Sequence, residues 1–319
     1  MTDLWKKTDS TVGDDRMFIS FSGGRSSAVM TKLLHERYRA SNEIIILFAN
    51  TGCEHEETLK FVDECDRRFG WGVVWLEAVT NQQAGVGVRS KRVDFESASR
   101  TGEPFEDSIK KYGIYNATNQ QCTKNLKVYP LNDYLKQQGW KTAGNRDFFT
   151  AVGIRADEMD RVSQAALQNN KYFYPLVDIG IRKRDVALEI KKWGFDLCIP
   201  NDAHGNCVWC WKKSLRKLMT VAKEDSTAFD FPAKMEARYG SHRADQSHGA
   251  SDDGKMVFFR KYQSANDIVR LSETERFTLH TDDPYDHGIS AGLFDGDGVI
   301  DDLDVGGGCG DGCEIGADE

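Results

Sequence analysis

The sequence lacks the features that mark several common protein classes. No apolar run among its 319 residues reaches the roughly eighteen needed for a membrane span, so we predict no membrane contact. Residues 1–15 have no apolar core after their charges, which argues against a secretory signal. Walker, HEXXH, GXSXG and Rossmann glycine motifs are also missing. The expected location is therefore the cytoplasm, and the enzyme classes that carry those motifs are disfavoured.

Positive charge is missing from the C-terminal end. Residues 277–319 contain twelve Asp or Glu and no Lys or Arg, whereas the whole chain has a formal net charge of −8. Residues 1–276 therefore have a formal net charge of +4. A mildly basic surface of this kind is compatible with the binding of phosphate-rich substrates. The Gly/Asp-rich composition near the C-terminus predicts a disordered acidic tail.

Strand and helix patterns alternate through the first half of the chain. Short apolar runs predict buried strands at 17–21, 43–52, 72–79 and 147–154. Apolar residues at helical spacing predict helices at 26–39, 56–70, 103–113, 122–139, 184–194 and 207–225. The β-α-β-α-β order predicts an α/β fold with a doubly wound parallel sheet.

The loop after the first predicted strand, "SGGRSS" at residues 22–27, is the strongest local signal. Ligands in open α/β sheets bind beyond the carboxyl ends of strands, beside helix N-termini. Two glycines allow a close approach of the backbone, and free N–H groups with serine hydroxyls suit a phosphate. We therefore predict that this loop binds an anion, and a nucleotide phosphate is the expected anion. The alternative interpretation is a tight glycine turn that is capped by serine.

Five segments in order resemble one known family. "SFSGGRSSAVM", "LFANTGCEHEET", "CTKNLKVYPL", "VGIRADEMDR" and "YPLVDIGIRKRDV" are similar to motifs of the phosphoadenosine phosphosulfate (PAPS) reductase family. This family lies in the adenine-nucleotide α-hydrolase-like (HUP-type, PP-loop ATP pyrophosphatase) superfamily. The similarity runs from about residue 17 to residue 223 and implies the corresponding doubly wound fold.

The resemblance implies a nucleotide site for ATP, or for PAPS or adenosine phosphosulfate (APS), together with magnesium. A glycine-rich loop of this form is found in relatives that bind ATP and adenylate a substrate. One position departs from the family pattern, because Asn50 replaces an aspartate that helps to position magnesium. The residues implied are Ser22, Gly23, Gly24, Arg25, Ser26, Ser27, Asn50, Thr51, Gly52, Lys127, Arg155 and Arg161.

The spacing of four cysteines indicates a metal site. Cys207 and Cys210 form a C-x-x-C, Cys198 lies nine residues upstream, and Cys122 opens an earlier motif. A tetrahedral thiolate set needs such a pair plus ligands brought in by the fold, and spacing alone leaves zinc and a [4Fe-4S] cluster open. The resemblance favours iron, because APS reductases and the DNA phosphorothioation relatives hold clusters with similar cysteines. Free buried thiols are the alternative.

The remaining cysteines carry weaker signals. Cys65 is expected to pack as a small hydrophobic residue. Cys53 is expected to lie beside the cleft without a role in binding or catalysis. Cys309 and Cys313 on the acidic tail resemble in position the nucleophilic tail cysteine of the reductases, so they are candidate catalytic residues. They would act as a redox pair or persulfide carrier, or else be incidental. His55 among acidic neighbours is better explained by a charged helix start than by a metal.

The sequence therefore predicts a nucleotide-binding enzyme of sulfur metabolism. The favoured activity is ATP-dependent adenylation followed by sulfur transfer, with a cysteine-bound cluster. Alternatives are a PAPS or APS reductase that makes sulfite, a noncatalytic nucleotide sensor, and a subunit that thiolates DNA or tRNA. The corresponding partners are a thiol reductant, a cysteine desulfurase or a nucleic acid. The expected organisation is an N-terminal extension (1–16), a nucleotide-binding domain (17–195), a Cys-rich metal-binding helical region (196–275) and the acidic tail (276–319).

Overall fold

The computed structural model describes residues 5–12, 16–162, 171–241 and 254–282. Within these ranges, six strands form one sheet in the order β4-β3-β2-β1-β5-β6. All neighbours are parallel except the antiparallel pair of β3 and β4. The strands are β1 (Arg16–Ser20), β2 (Ile44–Asn50), β3 (Val74–Thr80), β4 (Val88–Val93), β5 (Phe148–Ala151) and β6 (Tyr172–Phe173). The predicted α/β fold is confirmed.

Helices cover both faces of this sheet and continue into the C-terminal part of the described chain. None of the described helices is both long and apolar enough to cross a membrane. Those of the first half are α1 (Lys6–Val12), α2 (Arg25–Tyr38), α3 (Glu56–Phe69), α4 (Glu103–Tyr112) and α5 (Tyr129–Gln137). Those of the second half are α6 (Pro175–Asp178), α7 (Lys183–Lys191), α8 (Leu215–Glu224), α9 (Asp230–Tyr239) and α10 (Ala265–Thr274).

Successive side chains of β1 point to opposite faces of the sheet and so contribute to two separate layers of the core. Met17 and Ile19 pack into one apolar cluster with α2 and α3, whereas Phe18 points to the opposite face and packs with α5. Both faces are thus buried, which explains why the parallel strands appear in the sequence as continuous apolar runs. A third cluster joins α4 to the C-terminal helices and contains Trp209, Trp211 and three cysteines of the predicted metal set.

The predicted helix over 207–225 is only half correct, because α8 begins at Leu215. Ser214 is its N-cap, and the Ser214 hydroxyl accepts a hydrogen bond from the backbone N–H of Lys217 at 3.4 Å. The preceding C-x-x-C forms a turn, in which the N–H of Cys210 donates to the carbonyl of Cys207 at 3.0 Å. A serine cap therefore separates the cysteine turn from the helix.

Strand β4 is absent from the sequence-based prediction. Its residues, "VRSKRV", are mostly polar and largely exposed, since it lies at the edge of the sheet. The predicted helix over 122–139 is also more complex than expected, because a π-helical segment, Lys124–Val128, precedes α5. Charged edge strands and π-helical turns have no apolar periodicity that would reveal them.

Glu236 gives the C-terminal helices a pH dependence. Its buried carboxylate accepts hydrogen bonds from the backbone N–H groups of Phe258 and Ala265, both at 2.9 Å. Burial raises the pKa of Glu236 to about 7, against the lowering effect of those two bonds. Between pH 4.5 and about 7 the unfolded chain therefore releases a proton that the folded protein keeps.

We expect the free energy of unfolding to fall by about 3 kcal/mol as the pH rises through this window. Urea unfolding of the full chain at a series of pH values measures it. Glu236→Gln should flatten the profile, whereas the matched control Glu273→Gln, at an exposed position of α10, should leave it unchanged. A profile for Glu236→Gln that keeps the parent slope would contradict this assignment.

Candidate functional site

A cleft of about 1210 Å³ opens where β1 and β5 end. These neighbouring parallel strands bring the loop 22–27 and the segment 152–155 to the same edge of the sheet. The chain leaves β1 toward β2 on one side, while β5 lies on the other side. Such a switch point in strand order is where open α/β sheets bind ligands.

The loop 22–27 has the geometry of an anion site. Gly23 adopts φ +78°, and a Cβ on it would lie 2.7 Å from Cγ2 of Thr58. Gly24 is the N-cap of α2 and has no side chain to cover the free N–H groups of the first turn. The hydroxyls of Ser22 and Ser27 lie 2.9 Å apart. All six residues of the loop line the cleft, as the sequence predicted.

Two predicted cations lie on the opposite wall of the cleft. Nη1 of Arg155 donates to the Ser26 hydroxyl at 2.9 Å, which joins this wall directly to the loop. Nη1 of Arg161 donates to Oε1 of Glu158 at 2.5 Å. A Cβ on Gly153 would lie 2.9 Å from Cα of Ser27, so the two walls approach closely. Arg155 and Arg161 both line the cleft.

The cleft is rich in positive charge. Eight Lys or Arg residues and four Asp or Glu residues contribute to its lining. Arg25, predicted to add charge to the loop, is held by an ion pair of 2.6 Å from its Nε to Oδ1 of Asp196, and it also donates to the carbonyl of Leu197. The excess of cations suits a polyphosphate ligand.

The predicted nucleotide residues at the end of β2 do not line this cleft. The Asn50 amide donates to Oε1 of Glu77 at 2.8 Å and to the carbonyl of Ser99 at 2.9 Å, and its oxygen accepts from the N–H of Gly52. Asn50 is fully buried. In this structure Asn50 and Gly52 therefore shape the turn after β2 and do not face the cleft.

Thr51 and Lys127 instead line a second, smaller cavity of about 20 Å³. Oγ1 of Thr51 donates to Oε1 of Glu54 at 2.9 Å, and Nζ of Lys127 lies 3.8 Å from the same oxygen. The side chains of Glu54 and Lys127 are 2% and 9% exposed. A buried ion pair thus forms part of the wall of this cavity.

Three of the four predicted metal ligands meet at this second cavity. Cys122, Cys207 and Cys210 are buried and line it together with Trp209 and Trp211. Cys210 also lines the large cleft, so one residue is shared between the two sites. Because the two C-x-x-C residues come from one turn and Cys122 from the segment before α5, only the fold brings them together.

Cys198, the fourth predicted ligand, is exposed and does not line the cavity. Its thiol lies 3.4 Å from the carbonyl of Asp196. The other described cysteines are buried, and burial is the main cause that raises the pKa of both Cys53 and Cys65. Cys309 and Cys313 lie outside the described residues.

The three cavity thiols form a suitable donor set for a metal centre, because thiolates bind zinc and iron–sulfur clusters alike. They are buried beside Trp209 and Trp211, which would limit the access of water to a bound centre. The donor set therefore fits either kind of centre.

The sequence analysis missed a cluster at the rim of the cleft. Ligand atoms of Asp202, His280 and Asp282 lie within 4.8 Å of one another. Burial opposes ionisation of Asp202, but its bond with His280 and the charge of Lys217 hold its pKa near 2. Asp202 and His280 are 78 residues apart in the sequence, so no local spacing of residues predicts this cluster.

His55 behaves as its charged surroundings predict. It is the N-cap of α3, and its Nδ1 accepts a hydrogen bond from the backbone N–H of Glu57 at 3.1 Å. Burial lowers the pKa of His55, which keeps this acceptor neutral. The ring therefore caps a helix.

The close approach at Gly23 gives a direct test of the loop. Gly23→Ala combines an unfavourable φ with a contact of 2.7 Å, so we expect the free energy of unfolding to fall by about 2 kcal/mol. Gly24→Ala is the matched control, because its φ of −90° suits alanine and the nearest atom to its Cβ, Oγ of Ser22, is 3.6 Å away. Urea unfolding compares them; equal stabilities would contradict the described loop geometry.

Comparisons with known proteins agree with this architecture. The model of the phosphoadenosine phosphosulfate reductase domain matches residues 16–179. The uncharacterized nin region protein ORF290 of Escherichia phage lambda is 31% identical over 272 residues, covering 83% of this chain and 88% of that protein. The uncharacterized protein MJ0066 of Methanocaldococcus jannaschii is 26% identical over 178 residues, which are 56% of this chain and 29% of that protein.

Among solved structures, the U34-tRNA thiolase NcsA from Methanococcus maripaludis with its [4Fe-4S] cluster is similar at a TM-score of 0.32 and 15% identity, over 85% of this chain and 78% of that chain. A similarity at this level does not by itself establish a shared site. The family model covers half of the sequence, and the phage relative matches nearly end to end. The chain therefore belongs to the phosphoadenosine phosphosulfate reductase domain family.

Proposed function

We propose that the protein is an ATP-using sulfurtransferase of the PP-loop type, which adenylates an acceptor and supplies sulfur from a cysteine-bound [4Fe-4S] cluster. One observation carries the proposal. Cys210 lines both the cationic cleft and the cysteine cavity, so activated substrate and sulfur source would lie side by side. Proximity of two reacting groups is a major source of rate acceleration.

The loop 22–27 would hold the pyrophosphate part of ATP. The free N–H groups at the start of α2 and the hydroxyls of Ser22 and Ser27 supply donors. Arg155, which is already bonded to Ser26, would add charge from the facing wall. The α-phosphate would then face the remainder of the cleft.

The chemistry would proceed in two displacements. An oxygen of the acceptor attacks the α-phosphorus, a P–O bond forms, and the bond to the leaving pyrophosphate breaks. Sulfur then attacks the activated carbon of the acceptor, and AMP leaves with the original oxygen. The loop donors and the cleft cations would stabilise the charge that develops on the phosphates.

Cys122, Cys207 and Cys210 would hold the cluster as thiolates. Their shared burial beside Trp209 and Trp211 supports this assignment. When bound, the cluster would supply sulfide for the second displacement. Cys198 would complete a four-cysteine set only if its segment moved from its exposed position.

A second candidate function is the thiolation of a nucleic acid, which would then be the acceptor of the sulfur. The dimensions of the cleft favour this candidate. Its volume of about 1210 Å³ exceeds the roughly 300–1,000 Å³ typical of small-ligand pockets, which leaves room beside a nucleotide. Eight cations in the lining against four acidic groups suit an anionic chain. Transfer of sulfur to a base of DNA or tRNA would use the same two displacements, at a carbon of the base that carries oxygen.

Product analysis separates this function from its alternatives. We expect anaerobically purified protein to contain about four iron atoms per chain and to release pyrophosphate from ATP in the presence of acceptor. Sulfite from PAPS or APS without pyrophosphate would establish a reductase, for which Cys309 and Cys313 would be the candidate nucleophiles. Zinc with neither product, but with nucleotide binding, would establish a sensor.

Cysteine variants test the cluster ligands. Cys122→Ser, Cys207→Ser and Cys210→Ser should each lose most of the bound iron, because each thiol lines the cavity. Cys65→Ser is the control, since Cys65 is buried in α3 away from that cavity. Iron and sulfide analysis with visible absorption measures the loss. Full iron content in all three variants would refute the assignment, and Cys198→Ser distinguishes a three-cysteine from a four-cysteine set.

A further inference from the structure

The turn that carries Cys207 and Cys210 is organised around a buried ammonium group. Nζ of Lys213 donates to the carbonyl oxygens of Ala203 at 2.5 Å, Cys207 at 2.9 Å and Val208 at 2.7 Å. Lys213 is 7% exposed. Three bonds match the three N–H donors that a lysine ammonium offers. The three carbonyls form a cage around this charge.

The cage stabilises a loop that has little regular structure of its own. Ala203 lies in the short 3-10 helix Asp202–His204, and residues 205–208 lie in no helix or strand apart from the single bridge between Glu54 and Cys207. Carbonyl oxygens that converge on one point repel each other unless a cation lies between them. The ammonium supplies that cation, and the carbonyl dipoles in turn offset the cost of burying its charge.

The backbone of Lys213 is itself fixed, so the ammonium has a defined position. Its N–H donates to the carbonyl of Cys210 at 3.0 Å, and its carbonyl accepts from Nη2 of Arg260 at 2.8 Å. The next residue, Ser214, is the N-cap of α8. The cage therefore connects the cysteine turn to the start of a well-packed helix.

We propose that Lys213 is a positioning residue that holds the thiols of Cys207 and Cys210 in place through this carbonyl cage, rather than a ligand of the anion in the cleft. The inference deepens the proposed function, because these thiols are the ones assigned to the cluster. Lys213 also lines the cleft, where its charge alone would indicate a phosphate contact. The hydrogen bonds that its ammonium donates go instead to the carbonyl oxygens of the cage around the cysteine turn.

Thiol accessibility in the full chain, reduced and freed of metal, tests the proposal. Lys213→Met keeps the length of the side chain but removes the donors, so alkylation of Cys207 and Cys210 by iodoacetamide should become about tenfold faster. Peptide mapping by mass spectrometry measures each site, with Cys65 as an internal reference of unchanged rate. The matched control is Lys212→Met, at the neighbouring cleft position, which should label as the parent does.

Nucleotide affinity separates the two roles of the charge. For Lys213→Met we expect the Kd for ATP to stay within about twofold of the parent value. Unchanged alkylation together with a tenfold or greater loss of ATP affinity would overturn the proposal and make Lys213 an anion ligand. Unchanged alkylation with unchanged affinity would overturn it as well.

A chemical rescue covers the case in which Lys213→Met does not fold. In Lys213→Ala, ethylammonium should restore slow alkylation because it supplies N–H donors, whereas tetramethylammonium at equal ionic strength should not. Equal effects of the two ions would overturn the cage. Since alkylation needs neither metal nor turnover, a failure of the proposed sulfur transfer would leave this result intact.

Discussion

The position of β1 between two parallel neighbours is the constraint on which the site depends. Because β2 lies on one side and β5 on the other, the chain diverges beyond the end of β1 and leaves a crevice there. The loop 22–27 can fill the base of this crevice only because Gly23 packs against Thr58 without a side chain. The same edge of the sheet thus provides both the space and the donors for an anion.

The cysteine cavity depends on a second long-range contact, between the turn after β2 and the C-x-x-C turn. Glu54 pairs with Cys207 as a bridge, and the N–H of Val208 donates to the carbonyl of Cys53 at 3.0 Å. The C-x-x-C lies beyond residue 179, where the match to the family model ends. The family domain therefore supplies the loop 22–27 and the facing segment 152–155, while the following segment adds five of the eight cleft cations and two of the three thiols.

The sequence predicts what depends on local spacing and misses what depends on contacts between distant segments. Continuous apolar runs predicted β1, β2, β3 and β5 but not the two-residue strand β6, and the motif "SGGRSS" predicted a loop that lines the cleft, because these signals depend on neighbouring residues. The spacing of Cys198 to Cys207 suggested a ligand that the structure leaves exposed. Neither the carbonyl cage of Lys213 nor the pairing of Asp202 with His280 has a local signature, since backbone carbonyls that any sequence could supply form the first and side chains 78 residues apart form the second.

Asn50 shows how one such contact can explain a departure from a family pattern. Its amide donates to the carboxylate of Glu77 at 2.8 Å, and both side chains are buried. An aspartate at position 50 would bring two buried carboxylates into contact, which is costly unless one is protonated. Asparagine and Glu77 are therefore compatible where aspartate and Glu77 are not. Position 50 therefore shapes the turn after β2, while the positive charge of the cleft comes from lysines and arginines elsewhere in the chain.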